Sequence, residues 1–423
     1  MDILVVGGGG REHTLIKKLR ESKNCHKLYA APGNGGIAAI AECVDIKATD
    51  LDGICNFAKE KSIDYVVVAP DDPLVLGLVD RLAALGIPAF GPSKAAAQLE
   101  GSKVFSKAFM QRNNIPSAAY ESFEASAPAI AYLESLADFP VVVKADGLAL
   151  GKGVIIAQTF DEAKDAVLSM MEDKRFGDSG SRIVIEEFLT GPEVSVLAFA
   201  DGSVVVPMVS SMDHKRAFTG NLGPNTGGMG TIAPNPHYTP EIAAECMEKI
   251  FLPTINCMKQ EGAPFSGCLY FGLMLTPKGP MVIEYNCRFG DPETQVVIPL
   301  LQSDLLDIML ACTNGTLTPE TVKFADGAAV CVVIASGGYP GSYNTGLVIS
   351  GLDNAEATEN ICVYHAGTKL DENGTILTAG GRVLGVTATA ATLAAARESA
   401  YAAAKKISFE DAYYRQDIGD AVK

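Results

Sequence analysis

Short apolar runs alternate with longer stretches of mixed apolar and polar residues along the first hundred positions. The runs at 2–6, 65–69 and 89–90 have the length and composition of buried strands. The stretches at 51–61 and 74–85 carry apolar residues at helical spacing. This alternation of strand and helix predicts a parallel sheet, in which ligands lie at the carboxyl ends of the strands. We therefore expect the chain to begin with an α/β domain.

A run of four glycines, Gly7 to Gly10, follows the first predicted strand and precedes a predicted helix at 11–22. The free backbone N–H groups at such a helix N-terminus can hold a phosphate. Gly7 and Gly9 fit the Gly-x-Gly spacing of dinucleotide-binding loops, but Glu12 stands where the third glycine belongs. A sugar phosphate therefore fits this loop better than NAD.

The predicted strand at 140–144 ends in a lysine and leads into a glycine-rich loop. Lys144 ends this apolar run, and Gly147, Gly151 and Gly153 come soon after it. A cation at that place can reach the phosphates of a nucleotide, while the glycines let the loop close over them. The run differs from a Walker loop, because strand rather than helix follows it. The alternative is a flexible hairpin with surface lysines.

The next predicted strand, 182–189, ends in a short acidic and apolar sequence. Its last residues can offer backbone N–H and C=O groups to an adenine edge, and the acidic residue after the turn can reach ribose hydroxyls. Taken alone, the segment is an ordinary strand and turn. The residues concerned are Glu186, Glu187, Phe188, Leu189 and Glu193.

The segment from 211 to 230 lacks periodicity and predicts a long loop. It contains Asp213-His214-Lys215-Arg216 and a glycine-rich run at 223–230. A loop of this length inside a compact domain is usually functional or disordered. Its basic residues and paired glycines favour a functional loop.

The strand predicted at 281–286 carries the strongest chemical pattern. Its alternation places Glu284 and Asn286 on the same face. A carboxylate beside an amide carbonyl is a pair of hard oxygen ligands that suits Mg²⁺, which keeps few protein ligands. Arg288 follows beside a Gly-Asp-Pro turn, where it can meet a carboxylate or a phosphate. The alternative for Glu284 and Asn286 alone is a polar strand end.

The composition narrows the class of protein. The net charge of −16 argues against a general nucleic-acid surface, which needs a basic patch. The ten cysteines show no zinc-site spacing. No apolar run approaches the roughly 18 residues of a membrane span. Met1 is followed at once by Asp2 and a short strand rather than by a signal peptide, so we expect a reduced, cytoplasmic protein.

Taken together and in this order, these segments resemble the glycinamide ribonucleotide synthetase family of ATP-grasp ligases. The similarity covers essentially the whole chain, and the set of motifs is highly specific although each is modest alone. The segments that carry it are Gly9-Gly10-Arg11-Glu12-His13, Ala31-Pro32-Gly33-Asn34, Leu99-Glu100-Gly101-Ser102-Lys103, Lys144-Ala145-Asp146-Gly147, Gly151-Lys152-Gly153-Val154, Asp213-His214-Lys215-Arg216, Gly223 to Gly230, and Asn286 to Gln295.

The resemblance implies an α/β fold class with three domains. An N-terminal parallel-sheet domain of the pre-ATP-grasp type, which binds phosphoribosylamine, would span 1–102. An ATP-grasp core would span 103–325 and include a mobile lid subdomain at about 121–191. A small C-terminal α+β domain would span 326–423 and close the site.

The implied reaction joins glycine to 5-phosphoribosylamine and converts ATP into ADP and phosphate, in purine biosynthesis. Glycine is first phosphorylated, and the amine then attacks the glycyl phosphate. The implied cofactors are ATP and Mg²⁺ or Mn²⁺. Such chemistry needs mostly positioning and charge neutralisation, because phosphoryl transfer accumulates negative charge on the γ-phosphate and the leaving ADP.

Carried over residue by residue, the resemblance assigns roles to the candidate site residues. Glu284 and Asn286 would bind the metal, Arg288 would hold the glycine carboxylate, and Asp213 and Lys215 would contact the amine and the acyl phosphate. The ATP site would comprise Lys103, Lys144, Gly151, Lys152, Gly153, Glu186, Glu187, Phe188, Leu189 and Glu193. The other substrate contacts would be Gly9, Asn34, Asn225, Thr226, Gly228, Asp291, Lys369 and Arg382.

Three stretches depart from the family pattern. The turn predicted at 70–73 carries Asp71-Asp72 where family members have a longer carboxylate near the phosphoribosylamine. The residues 217–221 are less charged than is usual for the family. The strand before the metal site, 268–274, offers no acidic ligand, which leaves the number of metal ions open.

Two other interpretations remain. One is another ATP-grasp ligase or carboxylase that uses the same nucleotide chemistry on a different acid. The other is a non-catalytic nucleotide-binding protein, although Lys144, Glu284, Asn286 and Arg288 are all present. The partners expected are small molecules, with neither nucleic acid nor membrane, and either a monomer or a small homo-oligomer fits.

Overall fold

The first hundred residues form a parallel sheet with helices on both faces, in a computed structural model that describes residues 1–148, 153–173 and 177–420. The elements are β1 (Asp2–Gly7), α1 (Gly10–Leu19), β2 (Lys27–Pro32), β3 (Glu42–Cys43), α2 (Leu51–Glu60), β4 (Tyr65–Val68), α3 (Asp71–Leu76), α4 (Leu78–Ala84), β5 (Ala89–Phe90) and α5 (Gln98–Gly101). The strand order is β3-β2-β1-β4-β5, and the pairings are parallel. The apolar strands are buried, as a sheet covered on both faces requires. The α/β prediction for this part is confirmed.

A second, antiparallel sheet follows and carries Lys144. The elements are α6 (Lys103–Arg112), β6 (Tyr120–Phe123), α7 (Ser126–Ser135), β7 (Val141–Ala145), β8 (Val154–Ala157), α8 (Phe160–Met171) and β9 (Ile183–Glu187). The strand order is β6-β9-β7-β8. Helices α7 and α8 pack on one face of this sheet and share an apolar core with β7 and β9. This unit, which we call the lid sheet, has its own core.

The central part of the chain is built on a long antiparallel sheet. The elements are β10 (Glu193–Asp201), β11 (Val205–Pro207), β12 (Met212–Asp213), β13 (Arg216–Phe218), β14 (Leu222–Asn225), β15 (Gly230–Ala233), α9 (Pro240–Cys246), α10 (Leu252–Gln260), β16 (Ser266–Thr276), β17 (Gly279–Asn286), α11 (Thr294–Val297) and α12 (Leu305–Asn314). The central sheet has the order β11-β10-β16-β17. Along β10, Val194 and Val196 face a core with α9 and α10, whereas Leu197 and Phe199 face a core with α12. Both faces of this sheet are therefore covered.

The last hundred residues complete a sheet that we call the third sheet, counted after the first sheet and the central sheet because the lid sheet has its own name. The elements are β18 (Ala328–Ala335), α13 (Leu352–Glu356), β19 (Ile361–His365), β20 (Thr368–Leu370), β21 (Ile376–Thr378), β22 (Arg382–Ala390) and α14 (Leu393–Ala404). The strand order is β12-β15-β18-β22-β19, so two of the five strands come from the central part of the chain. Helix α14 packs against β18 and β22 through its alanine face. Within the described ranges, no helix is long and apolar enough to cross a membrane.

The prediction of a loop from 211 to 230 is wrong. This segment contains β12, the β13–β14 hairpin and the start of β15. The strands are two to four residues long. β15 pairs with β12 on one side and with β18, about a hundred positions away in the chain, on the other. β13 and β14 pair with each other. Such short strands show no local alternation that would predict them.

The helix predicted at 74–85 is also divided in two. Gly77 has a φ of +93°, in the left-handed region, and it ends α3 and begins α4. The turn predicted at 70–73 instead leads into α3, which begins at Asp71. The pattern of apolar residues continues across Gly77, so only the backbone conformation of the glycine reveals the break.

Two buried histidines join the first and third sheets. The backbone N–H of His365 on β19 donates to Nδ1 of His13 on α1, at 2.8 Å. Burial, together with the neighbouring His365 and Lys17, lowers the pKa of His13 to about 3. Burial and Lys17 likewise lower the pKa of His365 to about 4. Both rings are therefore neutral in the folded protein at neutral pH.

The burial of neutral His13 makes the free energy of unfolding depend on pH. Because the folded-state pKa of His13 lies below its unfolded value of 6.5, its contribution is complete above pH 6.5 and is lost as the pH falls below that value. We expect His13→Asn to remove the pH dependence of stability that His13 contributes. The asparagine amide oxygen can still accept the His365 N–H. Between pH 7.5 and 5.5, the wild-type protein should lose about 1.4 kcal/mol more unfolding free energy than the variant. Urea unfolding at both pH values measures the difference, and equal losses would contradict the assignment.

Candidate active site

The end of β17 presents two oxygen-bearing side chains on one face. A bulge in the pairing of β16 and β17 sets Gly272 opposite Glu284 and Leu273 opposite Val282. Val282 and Tyr285 are buried in the core beneath the sheet. Glu284 and Asn286 point away from that core, and Gly272 leaves room for Glu284, because a Cβ there would lie 3.0 Å from its Cγ. The strand therefore brings together the two side chains that the sequence places on one face.

Several cations surround Glu284. Burial alone would raise the pKa of its carboxyl group, but Lys215, Lys144 and Lys103 lower it below the usual value. The carboxylate is consequently ionised at neutral pH. An ionised carboxylate next to the Asn286 amide oxygen is a donor set that a hard divalent cation can use.

Arg288 lies between β17 and the first sheet. Its Nη2 atom is 3.1 Å from Glu100 and 3.9 Å from Asp71, and it donates to Asn286 Oδ1 at 3.1 Å. Its Nη1 atom donates to the Phe289 carbonyl. The buried Nε atom has no hydrogen-bond partner among the residues that the structure describes. The Nε donor is therefore unpaired, while the bonds from Nη1 and Nη2 hold the side chain in place.

Glu100 is a buried carboxylate that the sequence analysis did not single out. It accepts a hydrogen bond from the Cys287 N–H at 2.6 Å and pairs with Arg288. Burial raises its pKa to about 7, against the opposing effect of Arg288. Glu100 belongs to the quoted Leu-Glu-Gly-Ser-Lys motif, but nothing in the local pattern shows that it faces Arg288, which is 188 positions later in the chain.

Lys144 connects the lid sheet to β17. Its ammonium group donates to Glu186 at 3.0 Å and to the Ile283 carbonyl at 3.2 Å. Lys107, from α6, lies 3.7 Å from the same carboxylate. Lys144 and Glu186 are both about 5% exposed, so this charge cluster is shielded from water. The predicted phosphate lysine therefore sits beside the predicted metal ligands.

Lys103 is the first residue of α6 and contacts the residue that begins the glycine-rich loop. Its ammonium donates to the Gly147 carbonyl at 3.0 Å. Burial, opposed by Glu284, lowers its pKa. Gly153 is buried, and its carbonyl accepts from the Ala145 N–H. Gly151 and Lys152 lie outside the described residues.

The residues predicted to frame an adenine follow Glu186. Strand β9 ends at Glu187, so Phe188 and Leu189 lie beyond it and are partly buried. The Glu187 N–H donates to the Ala119 carbonyl and is not free. Glu193 begins β10 and lies 3.1 Å from the Lys215 ammonium. The predicted ribose carboxylate therefore pairs with a predicted catalytic lysine.

Asp213 and Lys215 lie at the end of β12 and just after it. Burial and the nearby Glu293 raise the pKa of Asp213 well above its usual range, against the effect of Lys215 and Arg382. Burial would lower the pKa of Lys215, but Glu193 and Glu284 raise it well above the usual value. The Asp213 carboxyl group, with its raised pKa, therefore lies close to the positively charged Lys215.

Glu293 is a second carboxylate that the sequence analysis missed. It is 5% exposed, and the Ser195 hydroxyl donates to it at 3.5 Å. Burial raises its pKa. It lies in the quoted run from Asn286 to Gln295, where its burial beside Asp213 is a tertiary feature that the sequence pattern does not display.

A group of predicted substrate residues forms one connected corner. Arg382 on β22 donates to the carbonyls of Gly227 and Asp291, at 2.6 and 2.8 Å, and pairs with the Asp291 carboxylate at 3.4 Å. The Thr226 hydroxyl donates to the Lys215 carbonyl and accepts from the Gly228 N–H. Asn225 and Lys369 are exposed, on β14 and β20. The corner holds the loop that carries Lys215.

Gly9 and Asn34 are engaged by the protein itself. The Gly9 N–H donates to the buried Glu12 carboxylate at 2.6 Å, so a side chain of α1 occupies the helix N-terminus. The Asn34 amide donates to the carbonyls of Gly8 and His365, and its oxygen accepts two backbone N–H groups. A phosphate at the Gly9 N–H would have to replace Glu12. Asn34 therefore fixes the loop between the first and third sheets.

This fold and this arrangement of charges define an ATP-grasp enzyme. Three family models match the chain: the N domain of phosphoribosylglycinamide synthetase at residues 1–100, its ATP-grasp (A) domain at 101–294 and its C domain at 329–421. The chain belongs to the phosphoribosylglycinamide synthetase family. The predicted fold class, with a parallel-sheet N-terminal domain, an ATP-grasp core and a C-terminal domain, is confirmed.

Individual relatives agree with this assignment. The phosphoribosylamine–glycine ligase of Caulobacter vibrioides is 50% identical over 420 residues, which cover 99% of this chain and 98% of that protein. The crystal structure of phosphoribosylamine–glycine ligase from Thermotoga maritima superposes with a TM-score of 0.86 at 33% identity, covering 99% of this chain and 100% of that one. The biotin carboxylase domain of Hydrogenobacter thermophilus 2-oxoglutarate carboxylase, solved with MgADP, has a TM-score of 0.76 at 16% identity, covering 98% and 91%, and shares the fold.

Proposed function

We propose that this chain ligates glycine to 5-phosphoribosylamine with consumption of ATP, giving N1-(5-phosphoribosyl)glycinamide, ADP and phosphate for purine biosynthesis. Relatives that cover essentially the whole chain carry the name of this ligase. The observation that carries the proposal in the structure is the ionised Glu284 beside Asn286, surrounded by Lys103, Lys144 and Lys215. Such a site suits a metal-bound polyphosphate and an acid substrate.

We propose Glu284 and Asn286 as the ligands of Mg²⁺ or Mn²⁺. The donor set fits such an ion, because Glu284 is ionised and the strand opposite supplies Gly272 rather than a competing side chain. Phosphate oxygens and water would complete the coordination shell. When bound, the ion neutralises charge on the transferred phosphoryl group.

The nucleotide is proposed to lie between the lid sheet and β17. Lys144 and Lys103 would hold its phosphates under the glycine-rich loop, with Gly151, Lys152 and Gly153. The backbone of 186–189 would meet the adenine, with Glu193 at the ribose. Lys144 reaches from β7 to the Ile283 carbonyl, which supports a nucleotide held between the lid sheet and β17.

Glycine is proposed to bind with its carboxylate at the free Nε atom of Arg288. Its carboxylate oxygen would attack the γ-phosphate in line, giving glycyl phosphate and ADP. The phosphoribosylamine nitrogen would then attack the acyl carbon and release phosphate. The nitrogen must lose a proton in this step, and Asp213, with its raised pKa, is proposed as the acceptor, while Lys215 stabilises the acyl phosphate.

The sugar phosphate is proposed to bind between the first and third sheets. Gly9, Asn34 and Lys369 line this region, and the corner around Arg382, Asp291 and 225–228 closes it on the side of Lys215. Binding would require Glu12 to leave the Gly9 N–H, or the phosphate to use other donors. We also propose that the domain boundaries lie at 102/103 and 325/326, with the lid at about 121–191.

The cysteines bear on the proposed location. The ten thiols are free, and burial raises the pKa of several of them, including Cys268 and Cys331. Thiols of this kind suit a reducing compartment, so we propose the cytoplasm. Small molecules are the proposed partners, and both a monomer and a small homo-oligomer remain compatible with the proposal.

Release of ADP by the purified protein tests the function. The assay contains ATP, Mg²⁺ and glycine, with and without phosphoribosylamine formed in place from ribose 5-phosphate and ammonia, and mass spectrometry identifies the product. We expect ADP release to need both substrates and to yield glycinamide ribonucleotide. Turnover that requires bicarbonate and ignores glycine would indicate a carboxylase instead. Nucleotide binding without turnover would indicate a binding protein.

The Lys144→Met variant tests the phosphate site. Methionine keeps much of the side-chain volume but removes the charge, and we expect the dissociation constant of MgATP to rise by at least about tenfold, in line with the loss of one charge-assisted hydrogen bond. Lys164→Met on the exposed face of α8 is the control and should leave the constant unchanged. Titration calorimetry measures both. Unaltered affinity in the Lys144 variant would remove this lysine from the phosphate site.

A further inference from the structure

Asp146 is a buried carboxylate with no assigned role, directly after strand β7. It is 6% exposed. Its Oδ1 atom accepts from the Val104 N–H and from the Ser102 hydroxyl, both at 2.8 Å. A carboxylate from the lid sheet therefore caps the N-terminus of α6, where it also interacts favourably with the helix dipole.

The same residue is bonded through its backbone on both sides. The Asp146 carbonyl accepts from the Lys103 N–H at 3.0 Å, and its N–H donates to the carbonyls of Ser179 and Arg182, each at 3.0 Å. The Arg182 guanidinium also pairs with Oδ2. Asp146 therefore joins α6, β7 and the segment that leads into β9.

This joint determines where Lys103 lies. Lys103 is the first residue of α6, so the bonds from Asp146 fix the position and direction of its backbone. The Lys103 ammonium in turn donates to the carbonyl of Gly147, the residue after Asp146. The cation and the start of the glycine-rich loop are thus held in one fixed arrangement.

We propose that Asp146 is a positioning residue that sets Lys103 and the start of the glycine-rich loop in register for the nucleotide phosphates. The inference rests on the proposed ATP site. Asp146 does not itself face the adenine segment at 186–189, since its bonds run to α6 and to 179–182. Loss of the Asp146 side chain should therefore weaken the binding of ligands that carry phosphates and leave the binding of the nucleoside unchanged.

Comparison of ATP, ADP and adenosine binding tests the proposal. In the full-length Asp146→Ala protein with Mg²⁺, we expect the dissociation constants of ATP and ADP to rise by at least about tenfold, the scale of a lost hydrogen-bonded charge. The constant for adenosine should remain within about twofold. Asp146→Asn retains an oxygen for Val104 and Ser102 and should recover most of the affinity. Asp165→Asn, on the exposed face of α8, is the matched control.

Every other outcome contradicts either the positioning role of Asp146 or the proposed phosphate site. An equal loss for all three ligands would mean that Asp146 only stabilises the lid sheet, and no loss would mean that Lys103 is positioned without it. If Asp146→Ala does not fold, the same comparison is made with Ser102→Ala, which removes one of the two bonds to Oδ1, and with Asp146→Asn, which removes the charge that pairs with Arg182. If the wild-type protein binds ATP no more tightly than adenosine, the proposed phosphate site itself is wrong.

Discussion

Glu284→Ala is expected to reduce kcat/KM by roughly 10³-fold or more. The variant loses the ionised carboxylate that we propose as a metal ligand on β17, and it leaves Lys103, Lys144 and Lys215 without the group whose pKa they lower. A metal ion that neutralises the transferred phosphoryl group supplies several kcal/mol of transition-state stabilisation, which corresponds to this loss. Initial rates of ADP release over a range of ATP concentrations, with glycine and phosphoribosylamine saturating, measure kcat/KM.

Binding of ATP with and without metal separates this role from a general disturbance. Removal of a negative charge near the phosphates should weaken binding of MgATP, yet strengthen or preserve binding of metal-free ATP in EDTA. Glu248→Gln, at an exposed carboxylate in the π-helical segment Met247–Phe251 between α9 and α10, is the control. Full activity of Glu284→Ala at an unchanged Mg²⁺ requirement would show that the metal is held elsewhere.

Arg288→Ala is expected to raise the KM for glycine about 100-fold while the dissociation constant of ATP changes by less than about threefold. The expected loss corresponds to a charge-assisted hydrogen bond from Nε to the glycine carboxylate. The substitution also leaves Glu100 buried without its cation, and because the pKa of this group is already about 7, the carboxyl group should take up a proton, with some loss of stability. Initial rates over a range of glycine concentrations, together with urea unfolding, measure the two effects.

A double variant distinguishes substrate binding from stability. In Arg288→Ala with Glu100→Gln, position 100 no longer needs a cation or a proton, so stability should recover while the glycine KM remains high. Recovery of both would mean that Arg288 acts only by neutralising Glu100. An unchanged glycine KM in the single variant would place the glycine carboxylate at another group.

The strand 281–286 shows how far sequence reasoning reaches. Alternation along a strand is local, so the shared face of Glu284 and Asn286 could be predicted from residues two positions apart. The bulge opposite Gly272 could not, because it depends on the pairing with β16. The strands β12 and β15 could not be predicted either, because they depend on the sheet that β18 completes.

The electrostatics of the site depend even more on long-range contacts. The pattern could identify Arg288 and Lys144 as cations beside a nucleotide site. It could not show that Glu100 and Glu186 lie 3.1 and 3.0 Å from them, since each partner comes from a distant element. Likewise, the glycine run predicted a phosphate at the N-terminus of α1, where the structure has Glu12 accepting from Gly9. Buried pairs of this kind depend on tertiary packing and produce no periodic pattern in the sequence.

The third sheet has a consequence for recombination between relatives. Its middle strand, β18, is buried along its whole length and pairs on one side with β22 and on the other with β15, which comes from residues 230–233. A chimera that exchanges only 326–423 would set β18 of one parent against β15 of the other, and a fragment that begins at 326 would expose an unpaired apolar edge prone to aggregation. Residues 211–233 and 326–420 should therefore be exchanged together, although more than ninety residues of chain separate them.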